Sequence, residues 1–469
     1  VVAQEPQVLA DGLERATLAA SVRYLDGSPA AGVPVIFSVS GSGNLLTAGS
    51  TTDSFGAASA TLASTVAEIK TITVTANGVQ LQTAATVRAI APQGDPVRIL
   101  NPSRFTLTSL PALRIPIGIP GDYKPRIVQL ADGELLIVGF TYAFEPDEYA
   151  VFWRSADNGF TWTRQLRQDL YGGEYVPTVL ADGTLVLTDA ISAGDPHNTP
   201  GPAKGHIHAS TDGGVTFSDL QIGPAGFASG LYAGSERQPW QLPDPLGGWD
   251  TLIGVTDINT SPDHPYLWKS KNDGMTWDTS TVPDTQGWDD FDGFFTECVT
   301  WVAPSRKLLH VIRVDAFAPN WVIPGDPPPG PPSDDSDDHM MIWQSTDRGL
   351  TWTRHGDSYG TFGTYGQYYP SFTKLRDGRL LLSYTQRGMS SAGDGLGVHG
   401  LLNYDDGETW DFQHDIIWID DQSPPGEPSG GGFGNSLQLN DGALLTPYSY
   451  RDASGNIDVE VVRWSLPQD

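Results

Sequence analysis

Two glutamates fall at the same place in a repeated phrase of this sequence, and a pair of carboxylates is what cleavage of a glycosidic bond requires. The phrase runs strand, Asp-Gly turn, apolar strand. Clear copies are "YKPRIVQLADGELLIV" (123–138), "YYPSFTKLRDGRLLLSY" (368–384) and "GNSLQLNDGALLTPY" (434–448). Counting eight residues back from the turn Asp gives Lys124, Tyr369 and Phe433. In the degenerate copies "ERQPWQLPDPLGGWDTLIGV" (236–255) and "ECVTWVAPSRKLLHV" (297–311) the same count gives Glu236 and Glu297. The copy "YVPTVLADGTLVLT" (175–188) reads as two residues shorter and leaves Glu174 and Tyr175 as alternatives. Glycoside hydrolysis needs one carboxyl as proton donor and a second as nucleophile or base. Glu236 and Glu297 are therefore the candidate catalytic pair. The competing reading makes them rim carboxylates that bind water or backbone amides.

Around that pair the candidate substrate-binding residues are Tyr123, Lys124, Arg126, Glu174, Tyr175, Arg237, Tyr368, Tyr369, Arg387 and Arg451. Tyr123, Tyr175, Trp240, Tyr368, Tyr369 and Phe433 have the flat faces that stack on sugar rings, although propellers also use such rings as packing. His206 and His208 alternate on one strand face, and His-x-His can hold zinc. No third ligand stands out, so no metal is expected there. The single cysteine, Cys298, excludes an intramolecular disulfide and a thiolate cluster and reads as a buried apolar residue.

These residues need a scaffold, and the sequence divides into two kinds of text. Residues 1–90 hold no Trp and three aromatics, Tyr24, Phe37 and Phe55. They alternate apolar and small polar residues in short runs such as "ATLAASVRYL" (16–25) and "TITVTANG" (71–78), the period of half-buried strands. About seven such strands in 90 residues predict a β-sandwich without catalytic residues. A Pro/Gly linker, "APQGDP" (91–96), follows. Residues 97–469 carry all 14 Trp and six copies of the strand-turn-strand phrase. Six antiparallel sheets with no helix between them predict a six-bladed β-propeller, so the fold class is all-β. The stretch "PGDPPPGPPSDDSDDH" (324–339) reads as an exposed loop inserted in the fourth blade.

The net charge of −29 argues against a nucleic-acid partner, because phosphate binding needs clustered Lys and Arg. It also disfavours a strongly anionic ligand unless a local basic patch exists. No apolar run has the length of a membrane span. The opening "VVAQEPQ" fits a processed leader or a start inside a longer product.

A second phrase recurs five times: "SADNGFTW" (155–162), "STDGGVTF" (210–217), "SKNDGMTW" (270–277), "STDRGLTW" (345–352) and "NYDDGETW" (403–410). Its Gly permits a positive-φ turn, and its acid, Asp157, Asp212, Asn272, Asp347 or Asp405, can accept backbone N–H groups of its own loop. These phrases resemble the Asp-box repeats of the sialidase (neuraminidase) superfamily. In that superfamily the boxes lie away from the active site, so the resemblance implies a structural role. No cofactor is expected, apart from a structural calcium ion that one box has the acidic side chain to hold. Sialidases carry an Arg-Ile-Pro phrase whose Arg clamps a sugar carboxylate. Here Tyr123 stands at that place and Arg126 follows the Pro, with Lys124, Arg387 and Arg451 as other basic groups. "YKPRIVQLADGELL" and "ERQPWQLPDP" resemble more closely the exo-acting arabinanase-type glycoside hydrolases, which use inner-strand glutamates. That resemblance implies Glu236 and Glu297 as the pair. The ending "DVEVVRWSL" (458–466) is similar to the last strand of such proteins and is expected to pair with residues near 97–112 to close the ring. Residues 1–90 resemble the bacterial Ig-like domains of invasin- and intimin-type proteins, which serve as stalks.

The resulting expectation is an extracellular, exo-acting glycoside hydrolase with a carbohydrate partner, located outside the cell, at a cell surface or on a virion. The alternative is a non-catalytic glycan-binding protein, a bacterial adhesin or a phage receptor-binding or decoration protein, attached to a larger surface or virion assembly through the Ig-like domain. A third reading is a structural assembly protein whose propeller contacts other proteins.

Overall fold

The computed structural model describes residues 1–144, 147–188, 206–221, 233–235, 237–257, 264–278, 294–314, 339–355, 361–363, 366–386, 396–420, 432–452 and 454–467. Glu236, Arg387 and most of the 324–339 insertion lie outside the described residues, as do the side chains of Glu297 and Tyr368.

The alternating text of residues 1–90 folds into two facing sheets. One is formed by Val2–Ala3, Ala16–Ser21, Ala57–Ser64 and Asn44–Ala48. The other is formed by Gln7–Leu9, Ala85–Ile90, Ile69–Ala76 and Val35–Val39, with Val79–Gln80 on its flank. The central strands turn every second residue inward, as in the pattern of Ile69–Ala76, whereas the edge strand Asn44–Ala48 is exposed. The inward set, Leu18, Phe37, Leu62, Ile72, Val74 and Val87 among others, forms one core between the sheets.

The rest of the chain forms six sheets arranged as blades. The first is an up-and-down sheet of Asp122–Gln129, Leu135–Phe144, Asp147–Ser155 and Thr163–Tyr171. The second uses Val176–Val179, Leu185–Thr188, His206–Ser210 and Ser218–Gln221. Between neighbouring blades lie separate apolar clusters, such as that of Leu136, Phe152, Tyr175, Leu185 and Leu187 between the first two. Stability is therefore distributed around a ring rather than held in one core. Cys298 is buried in one of these clusters.

The ring closes through the sixth blade. Ala112–Pro116 pairs with Ile457–Ser465, which pairs with Ala443–Arg451, so the first propeller segment and the last strand share a sheet. The pairing expected near 97–112 lies slightly later than the sequence suggested. Val97–Leu100 instead pairs with Ile416–Asp420 and extends the outer edge of the fifth blade. The linker is docked rather than loose. Gln93 exchanges backbone hydrogen bonds with Ala112 and Arg114, and the buried Arg114 donates to the carbonyls of Asp95 (2.7 Å) and Ile419 (2.8 Å).

The five boxes are self-contained turns. In the first, Ser155 Oγ donates to Asp157 (2.9 Å) and accepts the Gly159 N–H (2.9 Å). Asp157 accepts the Thr161 N–H (2.9 Å) and hydroxyl (2.8 Å). The same set recurs around Asp212, Asn272, Asp347 and Asp405, with Asn403 replacing the serine in the last. Hydrogen bonds from Thr216 hold the Asp212 carboxyl below the usual carboxylate range. The glycine at 159 has φ +84°, and a Cβ there would meet Leu445 of the preceding blade at 2.6 Å. Each box thus fastens its own turn while the glycine lets the turn press on the neighbouring blade. The Asn272 box makes these bonds without a charge, so acceptor geometry rather than charge is what the turn needs. Asp347→Asn is expected to leave the midpoint of thermal unfolding almost unchanged. Asp347→Ala is expected to cost about 1–3 kcal/mol, with equal losses for both variants as the contrary result.

The two domains meet at a buried ionic cluster. Arg463 of the last strand is fully buried and donates to Glu14 of the Ig-like domain (3.0 Å to Oε2) and to Asp441 (2.6 Å). It also donates to the Asn158 carbonyl of the first box and lies 4.2 Å from the Phe160 ring. Burial pushes the Glu14 carboxyl up to about 7, with Arg463 pulling against that shift and Asp441 and Asp11 adding to it. A raised carboxyl favours folding most below its ordinary value near 4.5, and that contribution is lost as pH rises toward 7. Wild type is accordingly expected to lose stability relative to Glu14→Gln across that window. A constant difference between the two chains from pH 4.5 to 7 would remove this role of Glu14.

Candidate active site in the propeller funnel

The innermost strands of the first, fourth and fifth blades begin with a bulge. Register shifts occur between Tyr123 and Arg126, between Phe294 and Cys298, and between Tyr368 and Ser371. The residue eight before the turn Asp has a left-handed backbone in four blades: Lys124 (φ 48°), Glu174 (φ 61°), Tyr369 (φ 59°) and Phe433 (φ 70°). A bulge re-aims a side chain out of the alternating pattern. Glu174 stands eight residues before Asp182, as Lys124 stands before Asp132. The second blade is therefore not shorter, and Glu174, not Tyr175, is its member of the set. Tyr175 is fully buried between blades, and its hydroxyl donates to the Tyr171 carbonyl (2.6 Å). Its ring is packing.

The re-aimed side chains meet. Glu174 accepts from Lys124 Nζ through one oxygen and from Arg237 Nη1 through the other (2.6 Å). The Tyr369 hydroxyl donates to Glu174 (3.1 Å) and accepts from Lys124 Nζ (2.8 Å) and Arg237 Nη2. Residues of the first, second, third and fifth blades thus share one point. Tyr369 stands perpendicular to Phe433 of the sixth blade, ring centroids 4.3 Å apart, and Phe433 in turn meets Tyr123 at 5.2 Å. The Arg237 guanidinium lies 4.5 Å from the Tyr369 ring centroid. Tyr123 packs edge-on against Phe140, Tyr142 and Phe433.

Arg126 completes the group. It is 6 % exposed, its guanidinium is 5.8 Å from the Tyr369 ring, and its Nη2 has no hydrogen-bond partner among the described residues. Burial and the neighbouring Arg237 charge push its pKa down to about 10, with Tyr369 and Glu174 opposing. Burial alone would raise the Glu174 carboxyl. The Lys124 and Arg237 charges and hydrogen bonds outweigh it and hold the group well below the usual carboxylate range. Among the described residues three cations, Lys124, Arg126 and Arg237, face one carboxylate. This is the local basic patch that an anionic ligand needs in a chain of net charge −29.

The strand Phe294–Val302 places the backbone of Glu297 inside the bulge of the fourth blade. The Arg237 N–H donates to the Cys298 carbonyl (3.0 Å), so the residues that follow Glu236 and Glu297 touch. The described contact of Arg451 is to its own hairpin, Nη1 on the Gly455 carbonyl (2.8 Å). Lys124, Arg126, Glu174, Arg237 and Tyr369 are brought together; Tyr175 is packed between the first two blades. The boxes lie at the other end of the blades. In the first blade Tyr123 pairs with Phe140 and that with Ala150, whereas Gln129 pairs with Leu135 and that with Ser155, where the box begins.

Sequence reasoning did not see that Tyr369 and Glu174 share a hydrogen bond, nor that Asp219 stands across from the His206–His208 pair. His206 Nδ1 is 3.0 Å and His208 Nδ1 3.4 Å from Asp219 Oδ1.

Removing Glu174 would leave Lys124 and Arg237 facing each other around Tyr369. Glu174→Gln is expected to destabilise the chain by about 3–5 kcal/mol, the usual result of deleting one partner of a buried ion pair. Denaturant unfolding checks this, and a change within about 0.5 kcal/mol would mean that the cluster is solvated.

Residues 1–90 match the family described as "Bacterial Ig-like domain (group 1)". No curated protein matches the chain. Among solved structures the chain is similar to a protein of unknown function from Dyadobacter fermentans, at 17% identity and a TM-score of 0.53, covering 79% of this chain and 99% of that one. It is similar to a Hadza microbial sialidase at 12% identity and a TM-score of 0.51, covering 99% of both. A Penicillium chrysogenum α-L-arabinanase complexed with arabinobiose follows at 18% identity and a TM-score of 0.47, covering 75% and 98%. Residues 1–90 are a bacterial Ig-like domain, and the remainder is a six-bladed propeller of the sialidase-like fold.

Proposed function

We propose that the propeller is an exo-acting glycoside hydrolase whose substrate carries a carboxylate on its terminal sugar. The observation that supports this reading most is the buried Arg126 guanidinium, with an unengaged Nη2, beside Arg237 and Lys124. A planar guanidinium takes a carboxylate in a paired geometry that water cannot match.

Tyr369 would act as nucleophile. A hydroxyl becomes nucleophilic beside a base, and the Glu174 carboxylate lies 3.1 Å from the Tyr369 oxygen. Negative charge developing on that oxygen would fall between Lys124 and Arg237. Glu174 is a weak base while both cations hold it. An incoming sugar carboxylate competes for Arg237, loosens that hold and makes Glu174 a better proton acceptor when Tyr369 attacks the anomeric carbon. The leaving oxygen needs a proton, and Glu236 or Glu297 is the proposed donor. Water then attacks the anomeric carbon and the tyrosyl–sugar bond breaks; the same donor, now ionised, takes the proton of that water, and Glu174 returns its proton to the Tyr369 oxygen. The sequence pair thus keeps a role, with Tyr369 and Glu174 taking the nucleophilic one. The Ig-like domain would present the propeller outside the cell, at a cell surface or on a virion.

A second reading, a non-catalytic receptor for the same acidic glycan, is favoured by the Tyr369 oxygen itself. It already has three partners, Glu174, Lys124 and Arg237, and a saturated oxygen is well suited to holding a site rigid. One experiment separates the two. Wild type, Tyr369→Phe and Glu236→Gln are assayed on exo-glycosidase substrates with acidic and neutral terminal sugars, and on a glycan array. The hydrolase reading expects turnover of acidic substrates, a loss of roughly 10³-fold or more in kcat for Tyr369→Phe, and retained binding. Binding of acidic glycans without turnover in any chain would establish the receptor. Neither binding nor turnover would overturn both.

A further inference from the structure

We propose that His206, His208 and Asp219 form a binding site for a divalent transition-metal ion of the zinc class, separate from the funnel, in the seam between the first and second blades. The strand His206–Ser210 puts both imidazoles on one face, two residues apart. The neighbouring strand Ser218–Gln221 runs antiparallel, with Asp219 directly opposite His208. Three donor atoms, one from each side chain, lie within 4.8 Å of one another.

The two distances from Asp219 to the imidazoles fit coordination. A tetrahedral ion with ligand bonds of about 2.0–2.1 Å separates adjacent donor atoms by about 3.3 Å. Asp219 Oδ1 stands 3.0 Å from His206 Nδ1 and 3.4 Å from His208 Nδ1. Both imidazoles present the same nitrogen to the same oxygen. The imidazoles are about 5 % exposed and the carboxylate is half exposed, so the donors are held firmly on one side and reachable on the other.

A cavity of about 320 Å³ opens on the three residues and is also walled by Gln168, Asp169 and Tyr171 of the first blade's outer strand. The ion's remaining coordination position would face this cavity, available to water or a carboxylate. Two imidazoles and one carboxylate suit zinc, cobalt, nickel or copper better than calcium or magnesium, which take oxygen ligands. All three ligands belong to the second blade, so an ion here would tie its two outer strands together beside the first blade.

The test uses the full chain with any affinity tag removed, stripped with chelator and titrated with Zn²⁺ by calorimetry in excess Ca²⁺ and Mg²⁺, and with Co²⁺ by visible absorption. One Zn²⁺ per chain and the absorption of tetrahedral cobalt are expected. Asp219→Asn, a half-exposed change that leaves the fold intact, is expected to weaken binding by at least about 10–100-fold, and His206→Gln by as much. The Asp219 variant's near-ultraviolet circular dichroism must match wild type, so that lost affinity reports lost coordination. No stoichiometric Zn²⁺ binding by wild type, or equal binding by wild type and Asp219→Asn, would overturn the proposal.

Discussion

The funnel depends on one carboxylate. Glu174 sits among Lys124, Arg237 and the Tyr369 hydroxyl, and each of these comes from a different blade. Isolated, the two cations would repel each other in a low-dielectric setting. With Glu174 ionised they converge and pin Tyr369 between them. The ring of blades thereby gains a polar tie at its centre, in addition to the apolar clusters between neighbours. Among the described residues Arg126 has no carboxylate of its own. A site that is internally neutral would attract little. A site with one cation unspent has a reason to bind an anion.

The left-handed backbone at the head of the inner strands makes this convergence workable. An ordinary strand residue would keep the in-and-out alternation of its own blade. The left-handed backbone at Lys124, Glu174, Tyr369 and Phe433 breaks that alternation, and their side chains meet. Left-handed residues other than glycine carry strain, which the surrounding hydrogen bonds must hold. Lys124 N–H on Ser449 Oγ (2.9 Å) and Phe433 N–H on Thr385 Oγ1 (3.0 Å) are two that do so, and both cross from one blade to the next. At the other end the boxes perform the complementary task, fixing turns against neighbouring blades. The funnel cluster and the clamping boxes occupy opposite ends of the same sheets.

The architecture was legible because it repeats. Asp-Gly turns and Ser-x-Asp-x-Gly-x-Thr-Trp boxes are local devices, and their spacing counts the blades. The site was legible by position but not by role. The count of eight residues found Lys124, Tyr369 and Phe433 outright, since a left-handed residue stands at the same register in each of these blades whatever its side chain. It gave no hint of which residues touch, because that is decided by how six sheets close into a ring. Arg126 and Arg237 lie two and one residues from the counted positions, so their convergence is a property of the bulge and not of any motif. Asp219 was missed for a related reason: its nearness to His208 is a cross-strand register, and neither strand's text announces the other. Glu14 and Arg463 are 449 residues apart, and only the docking of two domains brings them into one ionic cluster.

The central claim is that Arg126, Arg237 and Lys124 form a receptor for a sugar carboxylate directly over Tyr369. A crystal structure of the chain soaked with an acidic monosaccharide tests it most directly. The account predicts the sugar carboxylate against the Arg126 guanidinium, with the anomeric carbon facing the Tyr369 oxygen. A sugar bound with its carboxylate in solvent, or bound at the box end of the blades, would contradict it.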